Sequence, residues 1–337
     1  MLSDITLQLV VFSSKALILL IMILLLVAGI LALFSRGKEK VTGRVSIKNL
    51  NEKYSELTEF VMNEILTKKQ LKKFLKEKKL SDKAKKELAE HEKQKKVFVL
   101  TFNGDMKASA VCGLRNEVDA IVSAATTEDE VVVRLDSAGG MVHAYGLAAA
   151  QLQRLRNHNI MLTVTVDKIA ASGGYLMASV ANKILAAPFA IIGSIGVIVQ
   201  LPNFHRYLKD KHIDFEQLTA GNFKRTLTLF GQNTEAGREK LQEEIEDIHD
   251  QFKGVIKTHR PQLDIDKVAT GEHWLGAQAL DLKLVDELMT SDDYLMAQSK
   301  IANVYEVCYQ PKKSLGSKLF SAMGNLKYQL FEKPFIS

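Results

Sequence analysis

The sequence predicts an α/β domain carried behind a transmembrane helix and a charged helical stalk. Three observations predict it. An uncharged apolar run fills Ala16 to Phe34, a lysine-rich segment with helical spacing follows, and from Val97 onward short β-rich runs alternate with longer helical ones. The reading divides the chain into an anchor at 1–36, a stalk at 37–96, a catalytic-type domain at 97–290 and a basic amphipathic tail at 291–337.

The run from Ala16 to Phe34 carries no charge, and about 20 such residues cross a ~30 Å hydrocarbon core as a helix. A cleaved signal peptide is the competing reading. Its apolar region would be shorter and end in an A-x-A-like site, which "LALFSRGK" does not offer, so a retained anchor is expected. Arg36, Lys38, Lys40 and Arg44 follow the run, while only Lys15 precedes it. Basic residues collect on cytoplasmic flanks, and by that rule alone the body of the protein lies in the cytoplasm.

The formal charge is +6, but it is local. Lysines crowd Lys68 to Lys96 against Glu77, Asp82, Glu87, Glu90 and Glu92, and the remainder of the chain is close to neutral. Phe60, Ile65, Leu71, Phe74 and Leu80 recur at spacings of three to six, as in a solvated or partner-packing helical stalk. A basic surface resting on anionic lipid head groups is the alternative. Nucleic acid is not an expected partner, because Phe74 is the only aromatic among those lysines and no recognition motif accompanies them. "HEKQK" at His91 lacks the second histidine of a zinc helix, and Cys112 and Cys308 have neither disulfide-framework nor ligand spacing. No metal or cofactor is expected.

From Val97, "VFVLTF", "GLRNEVDAIVSAA", "VVVRLD", "AYGLAAAQLQRLR" and "IMLTVTV" alternate strand and helix, the pattern of βαβ units and a covered, largely parallel sheet. "IIGSIGVIVQ", Ile191 to Gln200, is too short to span a membrane and reads as a buried strand. "FEQLTA" reads as a further strand. Thr234 is an N-cap candidate for a long amphipathic helix with Leu241, Ile245, Ile248, Phe252 and Ile256 on one face. "WLGAQALDLKLVDEL" adds a short helix, a turn and a strand end. Beyond Pro311 the tail would dock on the protein or a neighbouring subunit, or lie on a membrane surface.

Within this frame Ser172 stands out. It lies in "KIAASGGYLMASVANK", after an apolar run and before a helix-like segment, where free amides favour developing negative charge. A small packed residue or N-cap is the plain alternative. A nucleophilic serine needs a base. His143, His158 and His205 are available, yet none sits in a constrained stretch. Lys224, in "TAGNFKRTLT" after Gly221 and Asn222, is the better candidate. Its plain alternative is a solvated loop lysine. Burial in an apolar site lowers a lysine pKa by several units, which would let it accept a proton. "IIGSIGV" would supply apolar walls and, through Ser194, a hydroxyl to orient the amine. "DSAGGM" ends a strand in Gly139 and Gly140, whose amides can approach a substrate carbonyl as an oxyanion hole.

The motifs "DSAGG", "AASGGY", "GSIGV", "AGNFK" and "WLGAQALDLKLVDEL", in this order and spacing, resemble the signal peptide peptidase A family of membrane-anchored serine peptidases. The likeness covers about Val97 to Leu288, and the anchor, charged insertion and single catalytic segment match one branch of that family. It implies Ser172 as nucleophile, Lys224 as base, Ser194 as its assistant, and an oxyanion hole of Gly140 and Gly139 with the Gly173 amide. It implies the spiral ββα fold of the Clp protease and crotonase type, a homo-oligomeric ring, apolar peptide substrates such as signal peptide remnants or misfolded segments, and a bacterial inner-membrane location facing the periplasm. The last expectation opposes the flanking charges. Ala138 stands where many members have proline. A non-catalytic membrane-tethered scaffold and a crotonase-like acyl-CoA enzyme are the rival readings, the second disfavoured by Ser172 together with Lys224.

Overall fold

A computed structural model describes residues 2–35, 43–91, 94–221 and 223–311. Asn222, the flanking Arg36, Lys38 and Lys40, and the amphipathic tail beyond Pro311 lie outside the described residues. The chain divides into two compact units, Met1–Arg44 with Gln310–Ser337, and Val45–Tyr309. In the first, α1 (Leu2–Ser35) is one continuous helix. Its described side chains between Val11 and Val27 are exposed and include Lys15. Among the described residues no helix is long and apolar enough to cross a membrane.

The second unit is built on a sheet whose main path runs in space through Arg44–Asn49, Asn303–Gln310, Lys96–Gly104, Glu130–Ser137, Met161–Val166, Lys183–Ala186 and Glu287–Leu288. Its elements in chain order are β1 (Arg44–Asn49), α2 (Leu50–Ile65), α3 (Lys68–His91), β2 (Lys96–Gly104), α4 (Val111–Ala124), β3 (Glu130–Ser137), α5 (Val142–Asn157) and β4 (Met161–Val166). Then follow β5 (Ile169–Ala171), α6 (Gly173–Ser179), β6 (Lys183–Ala186), β7 (Ile191–Gly193), α7 (His205–Asp210), α8 (Glu235–His259) and α9 (Ile265–Val268). The last are β8 (His273–Leu275), α10 (Gly276–Asp281), β9 (Glu287–Leu288), α11 (Ser291–Gln298) and β10 (Asn303–Gln310).

Strands β2, β3 and β4 pair in parallel and read as near-continuous apolar runs because both faces are covered. The period of two separates those faces. Phe98, Leu100 and Phe102 of β2, with Val131, Val133 and Leu135 of β3, enter one core with Leu114, Val118 and Ile121 of α4 and Tyr145, Leu152 and Leu155 of α5. Val97, Val99 and Val132 point into a second core, closed by Leu50, Tyr294, Leu295 and Val304. The sheet thus reaches beyond 97–290 in both directions: β10 lies parallel to β2, and β1 lies outside β10. Asn51 ties the start of α2 to this edge, its amide donating to the carbonyls of Ser299 and Ala302 at 2.8 and 3.0 Å and its oxygen accepting from Val304 N at 2.7 Å. Farther along, Lys78 of α3 bonds Ser55 and Glu59 of α2.

One branching of the sheet positions the site. Glu130 to Arg134 of β3 pair with β4, whereas Ser137 at its carboxyl end pairs with Ala170 of β5. Strand β5 continues in parallel to β7, and β7 pairs antiparallel with β8. Two expected strands are shorter or missing. Ile191–Gly193 is all of "IIGSIGVIVQ" that pairs, because Ser194 turns to φ 51° and Ile198 to Gln200 run exposed. "FEQLTA" forms no strand: Phe215 and Leu218 are exposed and have no neighbouring strand to pair with. Helix α8 begins as expected, with Thr234 Oγ1 accepting from Gly237 N at 3.2 Å.

Candidate active site

Ser172 is the single residue between β5 and α6, held at φ 52° and ψ −122°. Such a backbone costs a non-glycine residue about 1–3 kcal/mol and persists only where neighbours over-determine it. They do so here. Ser172 N donates to Gly193 O at 2.8 Å, and Leu176 N donates to Ser172 O at 3.0 Å. The Ser172 side chain makes no capping hydrogen bond although it stands at the N-cap position, so the plain N-cap reading fails. The residue is half-buried, with its hydroxyl uncommitted among the described residues.

The strand end of β3 meets it. Gly139 adopts φ +89°, and a Cβ built there would lie 2.7 Å from Gly173 N and 2.8 Å from Ser172 Cβ. Only a glycine allows this approach. Gly139 N donates to Ser137 Oγ at 3.1 Å and is therefore already used. Among the described residues the amides of Gly140 and Gly173 have no such partner; Gly173 follows Ser172 directly, and Gly140 follows the Gly139 that packs against it. Of the three glycines expected around an oxyanion, Gly140 and Gly173 keep a free donor and Gly139 supplies the close backbone approach.

Ser194 is brought to the same place by β7. Ala171 pairs with Gly193, so Ser194 follows the rung that precedes Ser172, and its own φ is 51°. Ser194 N donates to Glu272 O at 2.6 Å. Lys224 is placed differently. It is exposed among residues 211–221 and 223–234, which have no regular structure, and its amide donates to Gly221 O at 3.2 Å. Among the described residues its side chain has no hydrogen bond or ion pair, so within one chain it lacks the apolar enclosure expected from the sequence. His143, His158 and His205 make no hydrogen bond to Ser172 among the described residues. Asp136 pairs instead with exposed Lys168 at 3.3 Å. No group of acidic, histidine and cysteine side chains among the described residues is arranged to hold a metal ion.

The motifs that stood apart in sequence touch one another. Tyr175 of "AASGGY" donates its buried hydroxyl to Leu284 O of "DLKLVDEL" at 2.9 Å, and burial pushes that phenol far up. A Cβ on Gly193 of "GSIGV" would lie 2.8 Å from the Trp274 ring of "WLGAQAL". Sequence reasoning missed Ser137 and Asp105 and the residue that links them, Tyr145 on α5. Its hydroxyl lies 2.6 Å from Ser137 Oγ and donates to Asp105 O at 2.8 Å. Burial pushes this phenol up as well, against the opposing hydrogen bond from Ser137, so it keeps its proton. The available signal was a lone phenol on the apolar face of "AYGLAAAQLQRLR".

Comparison with known proteins places the chain in a family. The family model "Peptidase family S49 N-terminal" matches residues 4–152, and "Peptidase family S49" matches residues 154–305. A Haemophilus influenzae protein named "Probable protease SohB" is 48% identical over 328 residues, covering 94% of this chain and 93% of that protein. One of the same name from Buchnera aphidicola subsp. Schizaphis graminum is 49% identical over 275 residues, 80% of each chain. A solved mutant of ClpP1 from Listeria monocytogenes is 14% identical with a TM-score of 0.39, covering 60% of this chain and 94% of that one, a likeness too low to bear on the fold. With both parts of the family matched in order and a relative aligned along nearly its whole length, the chain belongs to peptidase family S49, of the SohB type.

Proposed function

We propose that this peptidase is a membrane-anchored serine endopeptidase in which Lys224 activates Ser172 for attack on apolar peptides. The observation that carries the reading is Ser172 itself: a strained residue on a strand-to-helix turn, its hydroxyl free, followed by the unpartnered amide of Gly173 and with the Gly139 backbone packed against it. A strained serine at such a turn projects its oxygen outward, and paired amides favour the oxyanion of a tetrahedral intermediate. In the proposed sequence Lys224 takes the Ser172 proton as Oγ bonds to the substrate carbonyl carbon. The Gly140 and Gly173 amides hold the oxyanion. Lys224 then protonates the departing amine, leaving an acyl-enzyme, and removes a proton from the water that releases the acid. Ser194 orients the amine.

A lysine must be desolvated to accept a proton near neutral pH, and Lys224 is exposed in the single chain. The required enclosure is assigned here to a second copy, in a homo-oligomeric ring. Supporting it are the apolar side chains exposed on the same stretch, among them Leu218 at 96% and Phe223 at 57%, and Ile198 at 76% on the segment ahead of α7. Signal peptide remnants or misfolded membrane segments are the proposed substrates. The proposed site of action is the bacterial inner membrane, a reading that rests on the uncharged run Ala16 to Phe34 of the sequence and on the family resemblance. The charges flanking that run favour a cytoplasmic body and the relatives' family a periplasmic one, which reporter fusions after Lys40 and at the C-terminus would distinguish.

The test is cleavage of an apolar reporter peptide together with labelling by a serine-directed acylating probe. Ser172→Ala abolishes both, and Lys224→Ala abolishes cleavage. Wild-type cleavage by either variant overturns the reading, and absence of any labelling of native protein at Ser172 favours the scaffold instead.

A further inference from the structure

Four groups form one hydrogen-bonded line at the carboxyl ends of β2 and β3. Tyr145 has a single hydroxyl proton, and it is given to Asp105 O at 2.8 Å. The 2.6 Å contact between Ser137 Oγ and Tyr145 Oη therefore has Ser137 as donor. Ser137 Oγ in turn accepts from Gly139 N at 3.1 Å. The line runs one way, from the Gly139 amide through Ser137 and Tyr145 to the Asp105 carbonyl, and bonds aligned in this manner reinforce one another. The ring end of Tyr145 faces the other side of the site. A Cβ built on Gly173 would fall 2.4 Å from Tyr145 Cγ, so the ring lies directly against the Gly173 backbone. Tyr145 is fully buried and cannot itself meet a substrate.

We propose that Tyr145 is a positioning residue of the oxyanion site, its hydroxyl fixing the Gly139–Gly140 loop through Ser137 while its ring fixes Gly173. One rigid side chain then sets the spacing of the two donor amides. The Asp105 end adds a second restraint, because Met106 O accepts from Met141 N at 2.9 Å and closes the loop from the far side. The inference rests on reading Ser172 as the nucleophile and the Gly140 and Gly173 amides as oxyanion donors.

The experiment uses the full chain in detergent, an apolar reporter peptide, and a peptide aldehyde whose adduct with Ser172 carries an oxyanion. Tyr145→Phe removes the hydroxyl and keeps the ring. The expected result is a kcat lower by about 10-fold to 100-fold, less than the loss of a whole oxyanion donor, with KM within about twofold. Aldehyde affinity falls in parallel with kcat. Ser137→Ala breaks the same line without touching the ring and gives the same split, which keeps the test alive if Tyr145→Phe does not fold. The double variant is no worse than the poorer single one, since members of one unit do not add. Wild-type kcat and aldehyde affinity in a folded Tyr145→Phe or Ser137→Ala protein, or losses that multiply in the double variant, overturn the inference. Ser172→Ala separates the two levels: if it still cleaves, the underlying site reading fails, and if it is inactive while Tyr145→Phe cleaves like the wild type, only the role of Tyr145 fails.

Discussion

The amide of Ser172 donates to the carbonyl of Gly193 at 2.8 Å, so the strained nucleophile candidate and the strained Ser194 are neighbours across one rung between β5 and β7. Gly193 holds this rung at φ +107° with the Trp274 ring against its Cα. Gly193→Ala would set a methyl group 2.8 Å from that ring in a backbone region that alanine avoids. The expected outcome is a loss of about 1–3 kcal/mol in urea unfolding together with slower labelling of Ser172. Unchanged labelling would show that the rung does not set the serine.

Gly140 separates folding from chemistry. A Cβ there would lie 2.2 Å from Met106 O, a backbone atom that is itself hydrogen-bonded and cannot step aside. Gly140→Ala must therefore displace its own loop. Peptide cleavage is expected to fall by about 100-fold to 1,000-fold, as for loss of an oxyanion donor, while circular dichroism keeps its native form. Retained cleavage would remove Gly140 from the oxyanion hole.

Arg260 closes the fold behind the site. Its guanidinium binds Asp286 through two bonds of 2.8 and 2.7 Å and the Lys283 carbonyl at 3.1 Å, with 3% of its side chain exposed. Asp286 also accepts from Ile184 N at 2.7 Å, so α8, β6 and the approach to β9 share one ion pair. Arg260→Ala leaves that carboxylate without its partner and is expected to lose about 3–5 kcal/mol. Arg260→Lys should recover only part, lacking the two-pronged geometry. Urea titration of the three proteins checks the order.

Glu117 gives the fold a pH dependence of known sign. Burial pushes its carboxyl up, while the Tyr309 amide, donating to Oε1 at 2.7 Å, pulls it back only in part. The folded state thus holds this proton to higher pH than the unfolded chain, and the group's contribution falls as pH rises from the ordinary carboxylate range through the raised folded value. Glu117→Gln keeps the acceptor without the charge. It is expected to unfold at higher urea than wild type at neutral pH, with the difference vanishing below about pH 4, where a carboxyl is largely protonated. A difference independent of pH would contradict this.

The central sheet was legible because β2, β3 and β4 are covered on both faces and announce themselves as apolar runs. Strands β1 and β10 were not, since "RVSIKN" and "NVYEVCYQ" are half-exposed and polar, and only pairing makes them strands. The extended Ile191–Gln200 strand was over-read, because hydropathy does not report the positive φ at Ser194. At the site, Ser172, Gly139, Gly140 and Ser194 are marked in sequence by glycine-rich strand ends, and the structure packs Gly139 against Ser172 and bonds Ser172 N to Gly193, the residue before Ser194. Lys224 was found as a residue type, while its surroundings cannot be read from a local window. Tyr145, Ser137 and Asp105 escaped notice because their link joins the ends of two strands to a helix, a contact without any local spacing.

The backbone at Ser172 has a further consequence. At φ 52° and ψ −122° glycine is the residue most at ease, so the protein forgoes stability to keep a hydroxymethyl group at this one turn. Ser172→Gly should yield a protein that melts at a higher temperature than the wild type and cuts nothing. A gain in thermal resistance coupled to total loss of turnover would mark the turn as shaped by selection for chemistry, in conflict with selection for durability.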